Sequence, residues 1–334
     1  MRYPKKLDIG NIIGVCAPSD GFVDKKYKIM CNKAKERWNK KKIKVVFADN
    51  CFKSKNGVSA TPKERAKEFM QLMNDDSINA IISLSGGEYE MEILDYLELD
   101  LDKRDNVKWF CGRSDNSIIS YLLTTKYDIA SIYGPNFYEM AIEHKVINDS
   151  FELLCGVKNS LTEIQDVLKF DYSYKNEEAE FEYNCDYKCK WKLSNAKQVN
   201  IKGMLIGGLL DDLSCICGTK YDNTINFVEK YRNHGFVWYF DICDYNPTQA
   251  KRALWQLKNA GWFKYAKLII FGRPLKQENF YDLSYIENIK TVFESNMPII
   301  FDFNIGHIPP SYSMVNGNIV NVIYNKDTKE VAME

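Results

Sequence analysis

Residues 107–117 read VKWFCGRSDNS, and this stretch decides the fold class. It predicts a buried strand that turns sharply at Gly112 and becomes a helix at Asp115, because apolar residues recur at helical spacing over 118–123. Such a turn places the Ser114 hydroxyl at the carboxyl end of a strand and over a helix N-terminus. In α/β proteins ligands are held at this position.

Other apolar runs alternate with helical segments in the same manner. The predicted strands are 11–17, 43–48, 80–84 and 129–133, with helices over 24–40 and 61–74, and later strands are 203–206, 236–240, 267–271 and 298–303, with a helix over 248–260. Alternation of this kind indicates an α/β fold with a parallel sheet and helices on both of its faces.

The length of 334 residues suits two domains rather than one core. We predict an N-terminal domain over 1–165 and a C-terminal domain over 199–334. The segment between them, 166–198, is polar, tyrosine-rich and weakly patterned, which is typical of an interdomain connection with some antiparallel strand.

The charge balance excludes several kinds of partner. Lys and Arg number 45, as do Asp and Glu, so no net field attracts nucleic acid or an anionic membrane. The N-terminus has no apolar signal region, and no run reaches the roughly 18 apolar residues of a membrane span. We therefore expect a cytoplasmic protein without a nucleic-acid or membrane partner.

The ten cysteines are scattered through a long chain, mostly in apolar surroundings, so we expect free thiols. Cys185-x3-Cys189 and Cys215-x-Cys217 lack both a second matching pair and a nearby histidine, so no zinc site is predicted. Neither a dinucleotide-binding glycine fingerprint nor a P-loop occurs, and we expect neither a cofactor nor a metal.

Three histidines are candidates for acid-base chemistry. His144 lies in a charged helical stretch and His234 in a polar loop, where solvated surface is the better interpretation of both. His307 differs, because it follows a strand and Gly306 in the sequence FDFNIGHIPP. Its imidazole is expected on a constrained loop at the carboxyl end of a strand.

A serine nucleophile needs a base, a group that orients the base, and amide donors for the oxyanion. Ser114, His307, an acid on another strand, and amides near Gly86-Gly87 and Asp115 could supply these. The stretch also admits plainer interpretations. Ser114 could be an ordinary helix N-cap, and the two glycines could form a tight turn.

Six short motifs occur in an order that carries a family resemblance. They are IGVCAPS from Ile13, Ser85-Gly86-Gly87, Gly112-Arg113-Ser114-Asp115, Gly134-Pro135, Gly207-Gly208 with Gly218-Thr219, and Gly306-His307. In this order and over nearly the whole chain, the set resembles the LD-carboxypeptidase family of serine peptidases. That family includes the muramoyl-tetrapeptide carboxypeptidases and the microcin C immunity peptidases.

The resemblance implies a flavodoxin-like N-terminal domain, a smaller C-terminal α/β domain, a cleft between them and a homodimer. It matches Ser114 to the nucleophile and His307 to the general base. The backbone amides of Asp115 and of the Gly86-Gly87 turn, Gly87 in particular, match the oxyanion hole. The position of the family's catalytic glutamate, at the end of an apolar strand, holds Asp241.

Two departures from the family pattern bear on the site. Aspartate is shorter than glutamate by one methylene, roughly 1.5 Å, so either the backbone compensates at Asp241 or the triad is loose. Asp244 could substitute for Asp241, although a capping or solvated role is the better interpretation of Asp244. Arg113 stands where the family has an aromatic residue, and it could bind a substrate carboxylate or face solvent. Gly86 and Asn136 are further candidates for substrate contact, the latter by position alone.

The hypothesis is a metal-independent serine hydrolase for an amide whose leaving or flanking part carries a carboxylate. The resemblance implies two substrates, a murein tetrapeptide that loses its terminal D-alanine or a peptidyl-nucleotide of the microcin C kind. The alternative is a catalytically weakened binding protein of the same fold, because the third member of the triad is an aspartate here.

Overall fold

The computed structural model describes residues 1–99, 101, 106–157, 160–168, 183, 185–276, 278–279 and 281–333. The chain divides into two compact units. The first contains Met1–Val157, and the second contains Tyr183–Glu334 together with the segment 160–168.

The first unit is a parallel sheet with helices between its strands. Its elements are β1 (Ile12–Cys16), α1 (Lys25–Lys40), β2 (Lys44–Phe47), α2 (Pro62–Asn74), β3 (Ala80–Ser83), β4 (Trp109–Gly112), α3 (Ser117–Thr125), β5 (Ser131–Tyr133) and α4 (Lys145–Leu154), with 3₁₀ helices at Glu90–Tyr96, Ser114–Asn116 and Phe137–Ala141. These strands lie in the order β5-β4-β3-β1-β2, all parallel. This is the flavodoxin-like order, so the predicted parallel α/β sheet is confirmed.

Local signals place the helices as the sequence predicted. Thr61 caps α2 through a capping box with Glu64, and Pro62 stands at the start of the helix, where its missing N–H costs nothing. Asp24 caps α1 through its side chain. Every residue of α3 is buried, so the helix that follows β4 forms part of the core.

The second unit has a mixed sheet of eight strands. Its elements are β6 (Ser160–Thr162), β7 (Asp166–Val167), β8 (Tyr187–Lys188), β9 (Lys192–Ser194), β10 (Val199–Leu209), α5 (Leu210–Ile216), α6 (Thr224–Lys230), β11 (Phe236–Asp241), α7 (Pro247–Asn259), β12 (Ala266–Gly272), α8 (Tyr285–Lys290), β13 (Ile299–Phe303), β14 (Met314–Asn316), β15 (Ile319–Tyr324) and β16 (Lys329–Met333). The sheet order is β6-β16-β15-β10-β11-β12-β13-β9. Strands β10 to β13 are parallel, and antiparallel strands flank them on both sides.

The predicted interdomain connection, 166–198, lies partly outside the described residues, at 169–182 and 184. Its described part contributes β7 and β8, which pair with each other, and β9, which pairs antiparallel with β13. These strands are grouped with the second unit. The domain boundaries at 165 and 199 remain predictions.

Asn316-Gly317-Asn318 forms a turn, with Gly317 at a positive φ of 86°. The sequence of this turn predicts a hairpin, but β14 and β15 belong to different sheets. The turn is bound instead to β10, where the Gly317 amide donates to the Leu205 carbonyl and the Leu205 amide donates to Asn318. Long-range pairing with β10 therefore replaces the local pairing.

All ten cysteines are free thiols. Among the described residues, no helix combines the length and the apolar character needed to cross a membrane.

Candidate active site

Ser114 occupies the turn between β4 and α3 in a strained backbone conformation. Its φ is 67°, in the left-handed region that residues other than glycine rarely adopt. A backbone conformation of this kind costs about 1–3 kcal/mol. The cap of the 3₁₀ turn is Arg113 and the cap of α3 is Asn116, so Ser114 is not the helix N-cap that the plainer interpretation required. Ser114 is half-buried, whereas both neighbours in the turn are buried.

Gly86 and Gly87 follow β3 and lie close to side chains of the first unit. A Cβ atom on Gly86 would stand 2.6 Å from Cβ of Ser114, and one on Gly87 would stand 2.2 Å from Oγ of Ser19. Neither glycine is among the residues with positive φ. Close approach to Ser114 and Ser19, and not the left-handed backbone of a tight turn, therefore explains why glycine is present.

Two asparagine side chains, Asn116 and Asn136, stabilise the Ser114 turn through buried hydrogen bonds. Asn116 is fully buried, and its Nδ2 donates to the carbonyls of Ser85 and Arg113, both at 2.8 Å. Asn136 accepts from the Arg113 amide at 2.9 Å and from Asn116 Nδ2 at 3.2 Å through its Oδ1. Asn136 therefore supports the backbone of the Ser114 turn through its contact with the Arg113 amide. Asn116 was not predicted as a site residue. The signal that could have identified it is a polar residue directly before an apolar helical run.

Arg113 is 3% exposed, so the interpretation that it faces solvent is wrong. Its Nη1 lies 3.2 Å from Oε1 of Glu139, in a largely buried ion pair. Glu139 also accepts from the Asn136 amide at 2.8 Å through its second oxygen. The guanidinium is thus tied to the 3₁₀ helix Phe137–Ala141 that follows β5.

The Asp115 side chain is buried beside the nucleophile turn. Burial raises the pKa of the Asp115 carboxyl to about 7, although the Ser19 hydroxyl and the Glu90 amide favour its charged form. The Glu90 amide donates to Asp115 Oδ2 at 3.3 Å. This hydrogen bond connects the turn to the 3₁₀ helix Glu90–Tyr96.

In the second unit, Asp241 and His307 are in direct contact. Nδ1 of His307 lies 2.5 Å from Oδ2 of Asp241, whose side chain is fully buried, whereas the histidine side chain is 14% exposed. Asp241 ends β11, which is paired on both sides by β10 and β12. The carboxylate therefore reaches the imidazole although aspartate is the shorter acid.

Gly306 makes this contact sterically feasible. Its φ is 102°, and a Cβ atom on it would stand 2.0 Å from Oδ1 of Asp241. Asp244, the alternative acid, lies elsewhere: its side chain is 63% exposed and 3.6 Å from Nζ of Lys276. The structure therefore places Asp241 and not Asp244 beside His307.

The pKa of His307 reflects opposing influences. Burial alone would lower it, but the charge and hydrogen bond of Asp241, together with the Cys243 thiol, raise the pKa well above the usual histidine value. Cys243 was not predicted as part of the site. The adjoining segment is held by Asp211, whose carboxylate accepts from the amides of Cys243, Asp244 and Tyr245.

The predicted residues thus form two groups. Ser114, the Gly86-Gly87 turn and Asp115 come together in the first unit, with Arg113 and Asn136 bracing the turn. His307 and Asp241 come together in the second unit.

The close approach at Gly306 predicts a large effect of one methyl group on stability. We expect Gly306→Ala to lower the free energy of unfolding by about 2–5 kcal/mol, because it combines left-handed strain with collision against the Asp241 carboxylate. Gly218→Ala is the matched control, since Gly218 has a φ of 79° and nothing within 4 Å of the added Cβ. Urea unfolding followed by circular dichroism measures both, and equal losses in the two variants would refute a specific contact at Gly306.

Comparisons with known proteins agree with this architecture. Family models described as the LD-carboxypeptidase N-terminal domain and the LD-carboxypeptidase C-terminal domain match residues 13–134 and 202–322. The chain is 25% identical to the inferred carboxypeptidase YocD of Bacillus subtilis (strain 168) over 326 residues, which cover 92% of each protein.

Solved structures show the same fold. The microcin C7 self immunity protein MccF, in complex with glutamyl sulfamoyl guanosine, has a TM-score of 0.81 at 21% identity and covers 99% of this chain and 97% of its own. An MccF-like protein from Bacillus anthracis str. Ames has a TM-score of 0.79 at 21% identity, with 100% and 99% covered. With both family models matched in order along its sequence, the chain belongs to the LD-carboxypeptidase family.

Proposed function

We propose that the protein is a serine peptidase in which Ser114 is the nucleophile, His307 the general base and Asp241 the group that orients the imidazole. The observation that carries the proposal is the 2.5 Å contact between His307 Nδ1 and Asp241 Oδ2. A carboxylate on Nδ1 holds the proton there and leaves Nε2 as the basic nitrogen. Family membership supports the same chemistry.

In this mechanism Ser114 Oγ attacks the carbonyl carbon while its proton passes to Nε2 of His307. The tetrahedral intermediate collapses as the C–N bond breaks, and Nε2 returns the proton to the leaving amine. Water then attacks the acyl-enzyme by the same route and releases the acid. Asp241 stays ionised throughout and stabilises the imidazolium.

We assign the oxyanion hole to the backbone amides of Gly87 and Asp115. Gly86 supports this assignment, because it lies against Ser114 with no room for a side chain. Donors fixed by a rigid turn stabilise the oxyanion without reorganisation, which is the largest contribution in many acyl-transfer enzymes. In the proposal Gly86 admits the close approach of Ser114, and Arg113 and Asn136 contribute by bracing the turn.

For the substrate we propose an amide flanked by a carboxylate, either in a murein tetrapeptide or in a peptidyl-nucleotide of the microcin C kind. The second class has support from MccF, which was solved with an acidic aminoacyl group joined to a nucleoside. The cytoplasmic location and the homodimer implied by the resemblance remain predictions, and light scattering on the purified protein measures the second.

The rival hypothesis is a binding protein of the same fold with an impaired triad. It rests on the shorter acid, and the contact between Asp241 and His307 argues against it, since 2.5 Å is already a short hydrogen-bond distance. Replacing Asp241 by glutamate distinguishes the two hypotheses.

Ser114→Ala is expected to lower kcat/KM for hydrolysis by roughly 10⁴-fold or more, because it removes the attacking oxygen. One preparation should be assayed on a murein tetrapeptide and on a peptidyl-nucleotide, since the substrate that is cleaved identifies the class. Ser120→Ala is the matched control, because it removes the hydroxyl of a buried serine from α3, the helix that follows the Ser114 turn. Full activity of the Ser114 variant would exclude the proposed nucleophile.

The raised pKa of His307 predicts the pH dependence of the reaction. The base must be neutral, so kcat/KM should rise with pH through a pKa above the ordinary histidine value of about 6.5. Asp241→Asn removes the charge that raises this pKa while burial still lowers it. The acidic limb should then move to lower pH, and the maximal rate should fall by roughly 10³–10⁴-fold. An unmoved limb would show that His307 is not the titrating base.

Asp241→Glu tests whether the site is built for aspartate. The carboxylate is fully buried, close to Gly306 and 2.5 Å from His307, so the longer side chain overfills the space. We expect kcat/KM to fall by roughly tenfold or more, with circular dichroism to verify folding. A large gain in activity would support the rival hypothesis of an impaired triad.

A further inference from the structure

We propose that the second unit carries a binding site for a small oxyanion, a carboxylate or a phosphate, in the pocket around Arg273. This pocket has a volume of about 170 Å³, and Arg273, Lys192, Asp302 and Tyr187 are among its lining residues. At about 30 Å³ per water molecule, this volume corresponds to roughly six waters, which is room for a group of a few heavy atoms.

Arg273 directly follows β12 and is 3% exposed. One guanidinium nitrogen, Nη2, donates to the carbonyls of Ile308 at 2.7 Å and Pro309 at 3.2 Å. The other two nitrogens, Nε and Nη1, are buried and have no hydrogen-bond partner within the described part of the chain. Bulk water does not reach them, so the usual explanation for such donors is a bound ion or an ordered water.

The charges around the pocket select an anion. Lys192 Nζ lies 2.8 Å from Asp302 Oδ2, so these two charges neutralise each other. The positive charge of the Arg273 guanidinium is then left uncompensated. No carboxylate forms an ion pair with Arg273 among the described residues. A buried cation without a counter-ion is unfavourable, and the planar fork of arginine matches the oxygens of a carboxylate or phosphate.

The backbone of β13 contributes to the arrangement. The register between β12 and β13 shifts between Ile270 and Gly272, and Asp302 adopts a φ of 58° at this irregularity. A β-bulge re-aims side chains in this way. Asp302 thereby meets Lys192 of β9 at the pocket, and its charge is neutralised there.

Calorimetric titration of the full chain with sodium phosphate, and separately with sodium acetate at matched ionic strength, tests the site. We expect saturable binding of one anion per chain, with a dissociation constant of roughly 0.1–10 mM for a ligand of this size. The anion that binds more tightly distinguishes phosphate from carboxylate ligands. The absence of saturable binding by both anions overturns the proposal.

Two variants and one control locate the binding. Lys192→Gln leaves Asp302 unneutralised and should weaken binding roughly tenfold, while Arg273→Lys removes the fork and should weaken it further. Lys276→Gln, which changes an exposed lysine outside the pocket, should bind as the native protein does. If Arg273→Lys does not fold, Lys192→Gln provides the test, because Lys192 is exposed and its substitution should be tolerated. Unchanged anion binding in Lys192→Gln overturns the proposal. Equal weakening of binding in Lys192→Gln and Lys276→Gln also overturns it.

Discussion

A carboxylate with no solvent exposure at the end of a central strand is tolerated only with a partner, and the imidazole of His307 is that partner of Asp241. Removing one member of such a buried pair typically costs about 3–5 kcal/mol. The pair therefore constrains its surroundings, including the glycine at 306, whose missing Cβ leaves the space that the carboxylate fills. The same charge keeps the pKa of the histidine high.

The first unit meets a different constraint, because Ser114 has a left-handed backbone that is unfavourable for serine. The compensation is a set of buried hydrogen bonds from Asn116 and Asn136 to the neighbouring backbone, together with a glycine at 86 that admits the close approach. Strain that is held by several independent contacts is typical of functional turns between a strand and a helix. This conformation supports Ser114 as a nucleophile more strongly than its position in the sequence does.

Loops in both units are held by buried or half-buried charged side chains that bind several backbone atoms. Arg273 binds the carbonyls that follow His307, and Asp211 binds the amides that follow β11. In the first unit, Arg65 is fully buried and donates to the carbonyls of Pro18, Ala60 and Tyr89. Such groups fix the conformation of loops, and they leave little periodic signal in the sequence.

The sequence by itself determined the alternation of strands and helices, the caps of α1 and α2, and the candidates Ser114 and His307, because these depend on local patterns and on chemistry that few residues provide. Tertiary structure decided what depends on distance. The acid beside His307 is Asp241 rather than Asp244, Arg113 is buried against Glu139, and the 316–318 turn pairs with β10. Residues far apart in the chain set these contacts, so no local pattern specifies them.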